Sequence, residues 1–194
     1  YVSYIYASIL QHVRKDSVVY HGLAGQFFFS AIPHVLKVRV TADMDARVNE
    51  EMRRENISAE KALYILQKDD EERRKWGLQI YGTDTWDSRL YDIVLHIGKL
   101  TVDDAVDIIF DTVQKPIYQA TEESLKMVED LALAAKIKAD LVGITPKIQV
   151  AANHGRIFIS EKDDTLSDKN KAQINTIAKR IEGVEEVIFN VNVS

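Results

Sequence analysis

Apolar positions recur along the chain with two periods, and their alternation predicts the elements. In residues 1–14, "YVSYIYASILQHVR", Tyr1, Ile5, Ser8/Ile9 and His12 fall on one face at helical spacing. Residues 17–21, "SVVYH", form a short apolar run that reads as a strand, and it ends at Gly22-Leu23-Ala24-Gly25. A short helix over about 24–31 carries Phe27, Phe28 and Phe29. "VLKVRVTA", 35–42, alternates apolar and basic side chains, the period of two that marks a strand. Asp43 is placed to cap a helix over "MDARVNEEMRREN", and Ser58 with Glu60 starts another that runs to about Tyr81. "GTDTWDSRL" is a polar loop, "YDIVLHI" a buried strand, and Thr101-Val102-Asp103-Asp104 the capping signature of a helix ending near Val113. Strands alternating with helices predict an α/β fold with a parallel sheet.

The rhythm changes at Pro116, and the division predicted is 1–116, a linker over 117–121, and 122–194. A helix over 121–142 stops at Gly143 and Pro146, a C-terminal glycine followed by a breaker. "KIQVAANHGRIFIS" is a hairpin, since Asn153-His154-Gly155 places turn residues between two alternating runs. A helix over 168–182 ends at Gly183, and "EEVIFNVNV" closes as a strand. The order is that of a small α+β unit, α-β-β-α-β.

Composition narrows the function classes. At 194 residues the chain suits one large domain or two small ones. Lys and Arg number 25 against 30 Asp and Glu, a net charge of −5, which argues against a nucleic-acid binder with its basic surface. Cysteine is absent, so disulfides and thiolate metal sites are excluded. His21, His34 and His96 stand apart with no second ligand at metal spacing, so no metal site is expected. No apolar run approaches the ~20 residues of a membrane span, and no basic leader with a cleavage site opens the chain. A cytoplasmic protein is the expectation. The chain starts inside a helical pattern and not at Met, so it reads as a fragment with sequence upstream.

Two stretches invite a phosphate reading. Gly22, Gly25 and Gln26 follow a predicted strand, as phosphate-cradling glycines do. A P-loop, however, needs G-x-x-x-x-G-K-[ST], and a dinucleotide fingerprint needs a third glycine and a later acid. The second stretch is the helix pair over 43–81. Arg47, Arg53 and Arg54 lie on the first helix, and Lys68, Asp70, Arg73 and Arg74 on the second. Asp70 lies at i,i+3 from Arg73 and i,i+4 from Arg74, on a shared face. Two readings stay open: a solvated pair laced by weak ion pairs, or a phosphate clamp in which Asp70 orients one arginine and the helices close as a lid.

At this point the sequence resembles a family. The run "VVYHGLAGQ" to "KLTVDDAVDIIFDTV" is similar to the C-terminal two-thirds of the cytidylate kinase-like family, over roughly residues 1–115. The features that carry it are D-x-x-R at Asp70 and Arg73, Tyr81-Gly82, and W-D-x-x-L-Y-D from Trp86 to Asp92. The resemblance implies part of a P-loop kinase-like parallel sheet with a helical lid over 47–80. It implies phosphoryl transfer from ATP, with Mg, to a nucleoside monophosphate of CMP or dCMP type. Arg73 and Asp70 would be the catalytic pair, Arg47, Arg54 and Lys68 would hold phosphates from the lid, and Gly22, Gly25 and Gln26 would form the monophosphate-side loop. The ATP cradle would lie upstream of Tyr1, so neither ATP nor Mg is expected bound to these residues, and the chain alone is expected not to be competent. Leu23 stands where the family usually carries arginine, and His96-Ile97 where relatives carry a polar pair.

The second part, about 122–194, resembles a BON domain in "NHGRIFIS" and "GVEEVIFNVNV". That resemblance implies association with membrane surfaces or other domains. Residues 122–194 hold 10 Lys and Arg against 12 Asp and Glu, without the polybasic patch that draws proteins to anionic lipid. A protein partner or a homo-oligomer is therefore favoured over lipid. A rival to the enzyme reading is a non-catalytic nucleotide sensor or interaction module acting through this part.

Overall fold

The computed structural model describes residues 2–15, 17–161 and 166–189. These form two compact units, one of Tyr1–Val19 with Ala120–Ser194, the other of Tyr20–Gln119.

The second of these is built on a two-stranded parallel sheet. Strand β1 (Val38–Ala42) pairs with β2 (Ile93–Ile97), with Val38 opposite Ile93 and Ala42 opposite Ile97. Between them the chain passes through two helices, α3 (Met44–Glu55) and α4 (Ala59–Tyr81), which pack on each other. Asn56 makes the bend between them in the left-handed region, at φ 53°, and Ser58 caps α4 by accepting from the Lys61 amide. Ahead of β1 lies the short helix α2 (Gly25–Phe28), and after β2 comes α5 (Val102–Val113). The predicted capping signature is present: the Thr101 hydroxyl accepts from the Asp104 amide and the Asp104 carboxylate from the Thr101 amide. Phe28, Phe29, Ile32, Ala62, Leu95 and Ala105 are buried here.

One expected element is absent. Residues 17–21 are not a strand: Ser17 sits at φ 53°, and Val18 and Val19 are 48% and 96% exposed. An apolar run becomes a strand only when a neighbour supplies the hydrogen-bond ladder, and among the described residues β1 pairs only with β2.

A close approach fixes one glycine. A Cβ added at Gly77, inside α4, would lie 2.6 Å from the Thr85 methyl and 2.9 Å from the Thr83 carbonyl oxygen. The 83–85 turn rests directly on the helix backbone there, with Thr85 6% exposed.

The other unit has the predicted α-β-β-α-β order. Helix α6 (Glu122–Leu141) is followed by β3 (Ile148–Asn153), β4 (Arg156–Glu161), α7 (Asp168–Ala178) and β5 (Glu186–Phe189). The sheet runs β3-β4-β5, with β3 antiparallel and β5 parallel to β4. His154 and Gly155 turn the hairpin at φ 49° and 76°, the two positive values that a tight hairpin turn requires. Ile137, Leu141, Ile148, Ile157, Ile159 and Ile174 form the core. The predicted closing strand extends past Phe189 to residues 190–193, which lie outside the described residues.

Helix α1 (Val2–Val13) also belongs to this unit, because it packs on α6. The sequence reading placed it with 1–116. Helix α6 explains the difference: it is buried on opposite faces, with Ile137 and Leu141 toward the sheet core and Val128, Ala132, Ala135 and Ala139 on the other side. Small side chains let a second helix approach closely, and Leu10 of α1 is fully buried. Residues 116–118 form a short 3-10 turn with exposed neighbours.

Two outcomes are expected. Gly77→Ala should destabilise the Tyr20–Gln119 unit by about 1–3 kcal/mol, because overpacking moves backbone. Trp76 and Trp86 both report on that unit, so urea unfolding followed by tryptophan fluorescence measures the change, and an unchanged midpoint would show that the 83–85 turn yields freely. Limited proteolysis should nick the chain between about 114 and 120, and the products should co-elute under native conditions through α1 on α6. Fragments that part without denaturant would overturn the α1 assignment.

Candidate functional site

The described side chains of α3 and α4 divide into paired and unpaired charges. Arg47 donates from Nη1 and Nη2 to the two Asp70 carboxylate oxygens at 2.7 and 2.9 Å, a bidentate fork across the helices. Both groups are partly buried, at 30% and 16% side-chain exposure. The hydrogen bonds to Asp70 hold the Arg47 guanidinium above its ordinary pKa, and partial burial opposes this. Arg54 pairs with Glu51 at 2.7 Å and with Glu55 at 3.0 Å, and Arg53 with Glu50 at 2.7 Å, all along their own helix. Lys68 lies 3.8 Å from Glu72 on the exposed face. The sequence placed Arg54 and Lys68 on phosphates; their nearest partners here are carboxylates of their own helices.

Asp70 does not pair with Arg73 or Arg74, although the spacing suggested both. Its two oxygens are taken by Arg47. Arg74 turns to Asp84, 2.6 Å from Nη2 to Oδ2, with its guanidinium 4.7 Å from the Trp86 ring centre. Arg73 is exposed and has no hydrogen-bond or ion-pair partner among the described residues. It lines a cleft of about 330 Å³ with Leu23, Asp69, Glu72 and Trp76. The lining thus sets one unpaired guanidinium and two apolar side chains beside two carboxylates.

The glycine loop is brought to α4 by aromatic packing. Phe27 stacks on Tyr81 with ring centres 4.1 Å apart and planes 8° from parallel, and Trp76 lies 5.4 Å from the same ring. Burial pushes the Tyr81 phenol pKa up. Gly22 and Gly25 sit against Tyr20: a Cβ at either would meet the Tyr20 side chain at 3.0 or 2.9 Å. The Tyr20 hydroxyl donates to the Leu23 carbonyl at 2.8 Å and closes the turn. Gly22, Gly25 and Gln26 are therefore neighbours of the Arg73 cleft, and of that loop it is Leu23 that lines it.

A second constellation was missed by spacing arguments. Arg39 of β1 donates to the Trp86 carbonyl at 2.9 Å and lies 5.4 Å from the Trp86 ring centre. Trp86 thus packs against two guanidiniums, those of Arg39 and Arg74. Asp84 accepts from the Trp86 amide at 2.9 Å, and the Tyr91 hydroxyl donates to the Thr85 carbonyl at 2.9 Å. Asp92 accepts from the Lys37 amide at 2.7 Å. The Trp86–Asp92 motif fastens the loop after α4 to the start of β1. Its signal in the sequence was the arginine in the alternating strand, which a period of two leaves looking like a solvated position.

The sequence profile of the cytidylate kinase-like family matches residues 1–99. The chain belongs to that family. Its relatives include the cytidylate kinase of Staphylothermus marinus, 29% identical over 105 residues that make up 54% of this chain and 59% of that protein. The cytidylate kinase of Sulfolobus acidocaldarius is 26% identical over 101 residues, 52% of this chain and 55% of that protein. The chain thus spans less than two-thirds of the length of these relatives. A solved structure of an uncharacterized protein from Eubacterium ventriosum aligns with a TM-score of 0.51 at 25% identity, covering 56% of this chain and 62% of that one. The matched region includes α1, which packs with the C-terminal unit.

The Arg74–Asp84 pair generates an acid-side prediction. Its hydrogen bonds, first those from Arg74, hold the Asp84 carboxyl below its ordinary value of 3.8. A carboxylate with a lower pKa folded than unfolded stabilises the fold above about pH 4 and loses that contribution as pH falls through the folded value. Trp86 emission should therefore shift below pH 4, and Asp84→Asn should abolish that step while weakening the loop at neutral pH. A step of the same size in the variant would assign the titration to another group.

Proposed function

We propose that the chain is the lid-bearing part of a nucleoside monophosphate kinase, which in the intact protein transfers a phosphoryl group from ATP to a CMP- or dCMP-like acceptor. One observation carries this reading: Arg73 stands unpaired in a cleft while its neighbouring cations are neutralised. An arginine fork matches phosphate oxygens bidentately, and phosphoryl transfer rests on positioning and charge neutralisation. Asp70 acts as a positioning residue through Arg47, because their fork sets how α4 lies on α3. Leu23 and Trp76 offer apolar surface beside the guanidinium for the non-ionic part of a nucleotide.

ATP's outer phosphates and magnesium do not fit the residues present. The sequence holds no G-x-x-x-x-G-K-[ST], and among the described residues no group of three His, Cys, Asp or Glu could hold a metal ion. The 194-residue chain alone is accordingly proposed to bind at the acceptor side without turnover. A cytoplasmic location is part of this proposal, since the proposed substrates are cytoplasmic nucleotides. For the C-terminal unit a BON-like role is supported by the α-β-β-α-β order, with a protein partner or a second copy as ligand. A sensor reading is favoured by one feature: Leu23, an aliphatic side chain, occupies the cleft wall where kinase relatives would place a second cation.

In the intact protein, Arg73→Ala should lower turnover by about 10²-fold or more, in line with the loss of one charge-stabilising donor. It should leave the melting temperature within about a degree. Arg73→Lys should also be poor, because a point charge cannot replace the fork. Arg156→Ala, which removes an exposed pair with Glu186 in the hairpin, should leave turnover unchanged. Nucleotide binding without turnover in the unaltered protein would favour the sensor, and full turnover in Arg73→Ala would refute the clamp.

A further inference from the structure

Strand β3 is an edge of the C-terminal sheet, and among the described residues it pairs only with β4. The hairpin register fixes which of its main-chain groups are engaged. With the two-residue His154-Gly155 turn, Asn153 and Arg156 form the closing hydrogen-bonded pair, so Ala151–Phe158 and Gln149–Ser160 are bonded pairs as well. Val150 and Ala152 lie between these pairs and turn their N–H and C=O groups away from β4. Among the described residues, neither forms a backbone hydrogen bond outside the sheet.

The core is open along the same edge. Ile148, Ile157 and Ile159 are at most 1% exposed, whereas Val150 and Ala152, on their face of the sheet, are only partly buried. Nothing along the strand defends it either. Edges are ordinarily blunted by charge, proline or a bulge. Residues 148–153, Ile-Gln-Val-Ala-Ala-Asn, hold no charge and no proline, and their register with β4 runs without a bulge. Strand β5, on the far side of the sheet, carries Glu186.

We propose that β3 is a dimer interface, at which two copies of the chain pair antiparallel about a two-fold axis at Ala151. Two three-stranded sheets become one of six strands. Self-complementarity selects a second copy as the occupant. The axis sets Val150 opposite Ala152 of the second copy, and these are the residues with free groups, so each such pair closes with N–H···O bonds in both directions. The same pairing brings the two open stretches of core together. On the other face Gln149 meets Asn153 of the second copy, two uncharged carboxamides, and the small Ala151 side chains meet at the axis. Lys147 falls opposite Gly155, so no charge opposes its like. The inference rests on the reading of the C-terminal unit as a protein-binding unit and chooses the second copy over another protein; it does not depend on the kinase reading.

The test is sedimentation velocity of the 194-residue chain over a micromolar-to-millimolar series, because a strand-edge contact belongs to the small, weak class of interfaces. The mass should rise toward that of two chains with concentration. Amide exchange followed by NMR should slow at Val150 and Ala152 over the same series, and change less at Ala151, which is already bonded to β4. Ala151→Lys should weaken association at least about ten-fold by placing like charges at the axis, and so should Ala151→Glu. An equimolar mixture of these two variants should associate again. Ala152→Pro removes an N–H that β4 does not use, so it should abolish the dimer and keep the fold. The charge pair keeps the test decisive where that variant fails to fold. A chain that stays monomeric throughout the series overturns the proposal and leaves another protein as the partner of the unit. A dimer that survives Ala151→Lys also overturns it, while keeping a second copy as the partner.

Discussion

The fork between Arg47 and Asp70 decides how the charges of the helix pair are distributed. It joins residues 23 positions apart, so it fixes the lie of α4 on α3 and does not merely decorate one helix. Its two short bonds between partly buried groups place it above the exposed i,i+3 and i,i+4 pairs around it, which contribute a few tenths of a kcal/mol each. Because both oxygens of Asp70 are engaged, Arg73 and Arg74 are released from the partner that lay nearest in sequence. Arg74 finds Asp84 and the Trp86 face. Arg73 finds neither and is left without a partner among the described residues, lining the cleft.

The sheet side of the unit depends on this same arrangement at one remove. Arg74 reaches from α4 to the 84–86 turn, and Arg39 reaches to it from β1. The turn is pinned from a helix and from a strand, and Gly77 lets it sit against the helix backbone. The residues of the family's Trp86–Asp92 motif are thus tied to scaffold duties, while the phosphate-directed reading rests on Arg73 alone.

Periodicity made most elements legible. The two strands of the parallel sheet, the helix pair with its caps, the hairpin with its His154-Gly155 turn and the capping box at Thr101 could all be read from local pattern, because local backbone chemistry determines them. What could not be read was pairing at a distance. The amphipathic face of α1 says that the helix is covered, and not that α6 with Ala132, Ala135 and Ala139 covers it. The run at 17–21 has strand composition, but composition cannot supply a ladder partner. Asp70 was assigned to Arg73 because i,i+3 counting sees one helix at a time, and the competing arginine lay on another.

The glycines that first suggest a phosphate loop have a different local reason here. Gly22 and Gly25 make room for the Tyr20 ring, whose hydroxyl closes the turn on the Leu23 carbonyl. That turn and the Phe27–Tyr81 stack carry Leu23 to the cleft wall beside Arg73. The consequence is electrostatic. An aliphatic neighbour contributes no charge of its own and offers only apolar contact beside the exposed guanidinium. In the proposed clamp, with the carboxylates of Asp69 and Glu72 also in the lining, an anion has one guanidinium fork to meet and no second cation. On that proposal, binding depends on the geometry of one fork, and the Arg47–Asp70 contact between α3 and α4 acts on it without touching the ligand.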